Sequence, residues 1–153
     1  MNTEKIRHLR DRLRLLERET IRPFDNRNEC CGLTLAQCHT LLEIGNRGEI
    51  SLVDLAATFG LDTSTLSRTI QGLVRIGLVD RETSAKDRRY IVITLTAQGS
   101  RVFHNIENRF NNYFAAVLDR ISSDRRDAVV EAVSVLAEAV RRYNESNGCC
   151  KRK

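Results

Sequence analysis

The side chains with the most chemistry to offer are five cysteines: two adjacent pairs, Cys30-Cys31 and Cys149-Cys150, and a single Cys38. Thiolates attack oxidants and bind soft metals, and in a reducing compartment such clustering points to those uses over structural disulfides. Cys31 stands just before Thr34, a residue suited to start a helix, and the positive end of a helix dipole lowers a thiol's pKa. Cys38 falls one turn into that helix on its apolar face, where a small buried hydrophobe is the competing use. His39 follows, but consecutive helical positions point about 100° apart, so Cys38 and His39 do not suit one shared site. Two or three thiolates suit arsenite, zinc or copper(I). The same thiols suit a redox sensor, with a disulfide formed within the loop or to Cys149 or Cys150 of a second subunit. A Cys30-Cys31 disulfide would close a strained ring, which favours longer-range pairing. The tail pair, beside Lys151-Arg152-Lys153, has the alternative of being an inert end.

Arginine is the second chemical signal. The 153 residues carry 25 basic and 20 acidic side chains, a net charge of +5, and 21 of the basic residues are Arg. Arg presents a planar fork of donors that fits phosphate and guanine edges; a GC-rich source genome would produce the same bias. With 41% hydrophobic and 29% charged residues of both signs interspersed, the chain can bury a working core and is not expected to be disordered. No apolar run reaches 18 residues, and residues 1–20 form a charged amphipathic segment, so neither a membrane span nor a secretory signal is expected and the default compartment is the cytoplasm. An enzyme finds little support: Cys/His/Asp triad spacing, a CxxC and a Gly-rich phosphate loop are all missing.

The elements that would position these groups can be read from periodicity and punctuation. Ile6, Leu9, Leu13 and Leu16 place one apolar stripe on a helix over residues 3–20, which Pro23 ends or kinks. Thr34-Leu35-Ala36-Gln37 has the form of a capping box, opening a helix to about Ile44 with Leu35, Cys38, Leu41 and Leu42 inward and Gly45 closing it. Ser51-Leu52-Val53-Asp54 opens a short helix that stops at Phe59-Gly60-Leu61. Asp62 then caps a third helix to about Ile76, stopped by Gly77-Leu78. Two short helices joined by a Gly-containing turn make a helix-turn-helix signature. A strand at Leu78–Glu82, a polar turn over Thr83–Arg89 and an alternating strand at Tyr90–Leu95 follow it as a hairpin, with Ile91, Ile93 and Leu95 on one face. Thr96 can cap a long helix to about Ile121 carrying Val102, Phe103, Ile106, Phe110, Phe114 and Val117. Ser122 or Ser123 can cap a last helix with Val129, Val133, Leu136, Val140 and Tyr143 in register, and residues 144–153 are expected to fray.

The expected fold is mainly α with a small β-hairpin wing, a winged helix-turn-helix over residues 33–96. Residues 1–32 and 97–148 form flanking helices, and 149–153 a tail. The apolar stripes of those flanking helices exceed what one small winged domain covers, which implies a two-fold homodimer with two recognition helices.

The run Leu61-Asp62-Thr63-Ser64-Thr65-Leu66-Ser67-Arg68-Thr69-Ile70 and Gly72–Arg81 resembles the recognition helix of the MarR (multiple-antibiotic-resistance regulator) family. Lys86-Asp87-Arg88-Arg89 with Ile93-Thr94-Leu95-Thr96-Ala97-Gln98-Gly99 resembles that family's wing and the start of its next helix. The resemblance covers roughly residues 33–120. It implies a homodimeric transcriptional regulator, usually a repressor on a palindromic operator in double-stranded DNA, whose affinity changes when a ligand or oxidant acts between the dimerisation helices and the winged domain. Thr63, Ser64, Thr65, Arg68, Thr69 and Arg75 are then the candidate base or phosphate contacts, with Arg68 the best placed to read guanine. By the same resemblance Arg89 matches the position that enters the minor groove, and Asp87 holds the wing through an ion pair. Lys86 and Arg88 contact phosphate or are solvated charges. Zinc-responsive members place a ligand near the loop before the second helix and a His on that helix, which makes His39 a candidate beside Cys30 or Cys31, and His104 a further one. The winged fold also serves as a protein-interaction module, the alternative to a DNA-binding role.

Overall fold

The computed structural model describes residues 2–22, 32–83 and 90–147. Six helices and three strands run in the order α1 (Thr3–Ile21), α2 (Leu35–Arg47), β1 (Glu49–Ser51), α3 (Leu52–Phe59), α4 (Thr63–Arg75), β2 (Val79–Thr83), β3 (Ile91–Leu95), α5 (Ala97–Leu118) and α6 (Ser123–Asn147) among the described residues. The chain divides into two compact units, residues 1–108 and 109–153, with α5 running from one into the other.

In the first unit the helix boundaries follow from the first four N–H groups and last four carbonyls that no helix can pair internally. Thr34 makes the expected capping box: its hydroxyl accepts from the Gln37 amide at 3.2 Å, and the Gln37 side chain accepts from the Thr34 amide at 2.9 Å. Ser51 caps α3 by accepting from the Asp54 amide at 3.0 Å, while its hydroxyl donates to the Asp54 carboxylate. Both helices of the helix-turn-helix end as the Gly-plus-apolar stops require. Gly60, at φ 62°, and Leu61 donate back to Ala57 and Ala56; Gly77, at φ 74°, and Leu78 donate back to Val74 and Leu73. These positions need the left-handed backbone that glycine adopts without steric cost.

The core is built from Leu41 and Ile44 of α2, Leu55 of α3, Leu66, Ile70 and Leu73 of α4, and Ile93 of β3, all fully buried. Antiparallel pairing sets the sheet order β1-β3-β2, with Ile50 opposite Ile93 and Arg81 opposite Ile93 on the other side. The hairpin expected from sequence is therefore part of a three-stranded sheet. Its third strand, only three residues long, was hidden because a single buried Ile50 cannot establish an alternating pattern. Being central, β3 half-buries Val92 and Thr94 as well as Ile91 and Leu95.

Gly45 does not close α2. The helix continues to Arg47, and Gly48, at φ 73°, ends it. Gly45 instead gives the Phe103 ring a seat: a Cβ built there would lie 2.3 Å from the ring's Cδ2. Cys38 and Leu41 point inward as expected, joined by Thr40 and Ile44, while Leu35 and Leu42 are only half-buried. Helix α1 buries no residue, and Ile6, Leu9, Leu13 and Leu16 are all exposed.

The start of α5 is tied to the turn after α4. Thr96 caps α5 as expected, accepting from the Gly99 amide at 2.9 Å, and its hydroxyl also donates to the Gly77 carbonyl at 2.7 Å. Its own amide donates to the Leu78 carbonyl at 3.1 Å. Phe103 and Ile106 then bury the first turns of the helix.

In the second unit α5 ends at Leu118 rather than near Ile121, and the tight turn that follows is held by Arg126, whose guanidinium donates to the Ile121 carbonyl and pairs with Asp119 at 3.2 Å. Phe110 and Phe114 stack, and Tyr113 meets Phe114 edge-on. Helix α6 stays helical through Asn147, beyond the expected fraying point, its last turns carrying Arg141 clamped in a two-bond fork on Glu138 and a third bond to Glu145. The two Arg141 bonds to Glu138, with one from Arg142, hold the Glu138 carboxyl down at about 2. Val133, Val140 and Tyr143 of α6 are exposed.

Candidate nucleic-acid interface

Helix α4 is amphipathic, and its two faces can be assigned residue by residue. Leu66, Ile70 and Leu73 are buried. At about 100° per residue, the direction opposite to them is occupied by Ser64, Arg68, Gln71 and Arg75, and all four are exposed. Thr63 and Thr65 are exposed on the flanks, and Thr69 is half-buried beside the core. Of the six α4 residues singled out by sequence, Ser64, Arg68 and Arg75 share the central solvent stripe, and Thr69 stands furthest from it. Gln71 was missed, although its spacing of three from Arg68 and seven from Ser64 on a helix already placed was signal enough. Arg68 and Arg75 form no ion pair among the described residues.

The N-terminus of this helix is organised by Asp62. Its Oδ1 accepts from the Thr65 amide at 2.8 Å and from the Ser64 hydroxyl, and its Oδ2 accepts from the Thr65 hydroxyl at 2.7 Å. These bonds drive the Asp62 carboxyl far below the usual carboxylate range, the Ser64 and Thr65 hydroxyls first. The bonds thus favour the ionised carboxylate over the protonated acid.

Support from behind is provided by α2 and α3. Gly72 of α4 lets the Gln37 side chain come close, a Cβ there meeting its Nε2 at 2.9 Å. Arg47 pairs with Glu43 at 2.6 Å and reaches the Thr58 hydroxyl at 3.1 Å, tying the end of α2 to the last turn of α3. Strands β2 and β3 form the base of the hairpin, with Asp80, Arg81, Glu82 and Thr83 exposed. Its tip, with Lys86, Asp87, Arg88 and Arg89, lies outside the described residues.

The proposed thiol site is only partly in view. Cys30, Cys31, Cys149 and Cys150 lie outside the described residues. Cys38 is buried in the core, its neighbour His39 is exposed, and the two thus face different surroundings. His104 is exposed on α5 with its Nδ1 3.9 Å from Glu107. Among the described residues no three His, Cys, Asp or Glu side chains gather closely enough to hold a metal ion.

The sequence model of the MarR family matches residues 32–89, the unit from the start of α2 to the wing. The uncharacterized HTH-type transcriptional regulator YfiV of Bacillus subtilis is 26% identical over 108 residues, 71% of this chain and 68% of the relative. The crystal structure of MarR superposes with a TM-score of 0.76 at 26% identity, covering 90% of this chain and 94% of that one. FabT of Streptococcus pneumoniae, solved in complex with DNA, shares the fold with a TM-score of 0.79 at 18% identity, over 90% of this chain and 99% of that one. These relatives are regulators rather than enzymes, and no helix among the described residues is long and apolar enough to cross a membrane. With its helix-turn-helix and three-stranded winged sheet the chain has the winged helix-turn-helix fold, and residues 32–89 match the MarR family of transcription regulators.

Proposed function

We propose that the chain is a homodimeric, sequence-specific DNA-binding repressor of the cytoplasm that releases its operator when its cysteines are engaged. The observation that carries the DNA-binding reading is the solvent stripe of α4: Ser64, Arg68, Gln71 and Arg75 stand opposite the buried Leu66, Ile70 and Leu73, the disposition of a helix that enters the major groove. DNA-bound relatives of the same fold agree with it. The dimer is supported by the exposed apolar residues of α1 and α6, Ile6, Leu9 and Leu13 on one and Val133, Val140 and Tyr143 on the other. Such faces call for a covering partner, and a second copy supplies one with two-fold symmetry to match a palindrome.

Residues 33–96 would bind DNA, and 1–32 with 97–148 would make the dimer. At the wing, Arg89 is assigned to the minor groove, Arg88 and Lys86 to phosphates, and Asp87 to holding the loop. Arg89→Ala is expected to weaken operator binding at least tenfold in an anisotropy titration while sedimentation still reports a dimer. Log affinity of the parent protein should fall linearly with log salt, with a slope set by the number of phosphates neutralised. Undiminished binding by Arg89→Ala would remove that residue from the interface. Binding that ignores salt would favour a protein-interaction module instead.

The signal is assigned to Cys30 and Cys31, adjacent thiols just ahead of the α2 N-terminus, with arsenite as the first candidate and oxidation as the alternative. Cys38 is a core residue in this scheme, since burial withholds it from solvent. Arsenite or peroxide should release operator from the reduced parent protein, and a Cys30→Ser, Cys31→Ser double variant should stay bound. Equal release from both proteins would move the sensor elsewhere.

A further inference from the structure

We propose that Asp62 determines which bases the start of α4 can read, by turning the Ser64 and Thr65 hydroxyls into hydrogen-bond acceptors. The inference rests on the DNA-binding reading above and adds a polarity to it. A hydroxyl has one proton to donate. Ser64 gives its proton to Oδ1 of Asp62, and Thr65 gives its own to Oδ2 at 2.7 Å. Both hydroxyls are exposed, so what they offer outward is lone pairs alone. Asp62 stays an acceptor too, because the same bonds keep it ionised.

Along the floor of the major groove each base pair presents one amino donor, on adenine N6 or cytosine N4, while guanine O6 and thymine O4 are acceptors. An acceptor-only hydroxyl therefore pairs with the amino bases of the strand it faces and opposes the keto bases. It cannot donate to a phosphate either, and the Asp62 charge disfavours one nearby. Ser64 lies on the same stripe as Arg68, one turn earlier, so the two would read neighbouring positions with opposite polarity, acceptor at one and donor fork at the other.

If Asp62 were a helix cap and nothing more, asparagine would replace it without consequence, since the two cap about equally well. Asparagine, however, offers one carbonyl oxygen and an amide that donates. Facing that amide, one hydroxyl must turn its proton outward and become a donor to the groove. Asp62→Asn thus keeps the cap and changes the polarity.

The test is selection from a randomised DNA duplex library with the full-length protein, its Asp62→Asn variant and a Ser64→Ala, Thr65→Ala double variant. The parent protein is expected to enrich a motif in which one position of each half-site favours adenine or cytosine over guanine or thymine by about tenfold. In Asp62→Asn that preference should shrink to about twofold or reverse, with the rest of the motif unchanged; the double variant, which leaves the cap carboxylate in place, should lose it as well. An Asp62→Asn motif identical to the parent's, or a parent motif without an amino-selective position, overturns the inference while leaving sequence-specific binding intact. A parent protein that enriches no motif overturns the DNA-binding reading itself. Should Asp62→Asn fail to fold, an unaltered motif in the double variant is sufficient to reject the role.

Discussion

Gly99→Ala is expected to destabilise the winged unit by about 2–4 kcal/mol, through a clash that outweighs the higher helix propensity of alanine. Propensity alone predicts a gain of about 1 kcal/mol, because Gly99 sits in the first turns of α5. Geometry reverses the sign. A Cβ at this position would stand 1.8 Å from the Leu78 carbonyl oxygen and 2.8 Å from its carbon, whereas relaxed contacts lie near about 3.5 Å. The obstacle is backbone, so no rotamer change relieves it. Parting the two segments also strains the Thr96 hydroxyl bond to Gly77 and the Thr96 amide bond to Leu78, each worth about 1 kcal/mol. The measurement is a thermal melt, in which the midpoint should fall by roughly 5–15 °C for a chain of this size. Gly60→Ala is the control: a Cβ there meets nothing within 4 Å, although φ is 62°, so only the smaller left-handed strain is incurred, about 1 kcal/mol. A melting point raised by Gly99→Ala would mean that α5 is not held against the Leu78 carbonyl.

Gly99 illustrates what was legible in the chain. Its place in the family-like run Ile93–Gly99 was visible; the reason for a glycine there was not, because the Leu78 carbonyl that demands it lies some twenty residues away in sequence. Local physics was readable throughout: the Thr34–Gln37 box, the Ser51 and Asp62 caps, the Gly60 and Gly77 stops and the Thr96 start of α5 all depend on partners within a few residues. The larger errors arose where a distant partner decides. Gly45 looked like a helix stop, and Phe103 makes it a packing seat instead. Strand β1 has one buried residue and exists because β3 offers it a ladder edge. In the candidate site the same division holds. Arg68 and Ser64 were singled out by residue type, but Gln71 and the retreat of Thr69 toward the core needed the orientation of α4, which Leu66, Ile70 and Leu73 set.

That orientation makes Arg68 the residue whose removal should cost DNA binding most. It lies about one turn into α4, where side chains of a recognition helix reach base edges, and it is exposed with no carboxylate partner among the described residues. A guanidinium that forfeits no internal bond can give its whole fork to guanine O6 and N7, a pairing worth about 1–3 kcal/mol of discrimination. In the proposed dimer each substitution acts twice, so Arg68→Ala should weaken operator binding by about 2–6 kcal/mol, thirtyfold at the least, with an unchanged melting point. Arg68→Lys separates charge from shape, since lysine keeps the charge and loses the fork: non-specific affinity should survive and the preference for operator over random duplex should collapse. Arg75 supplies the contrast. Seven residues further along, it lies about 10 Å down the helix axis, beyond the turns that reach base edges, and the backbone of the groove wall is its natural partner. Arg75→Ala should weaken operator and random duplex alike and make the salt dependence shallower by about one ion for each phosphate no longer neutralised. If Arg68→Ala behaves in that way instead, α4 meets DNA through phosphates alone, and base selection must come from another element.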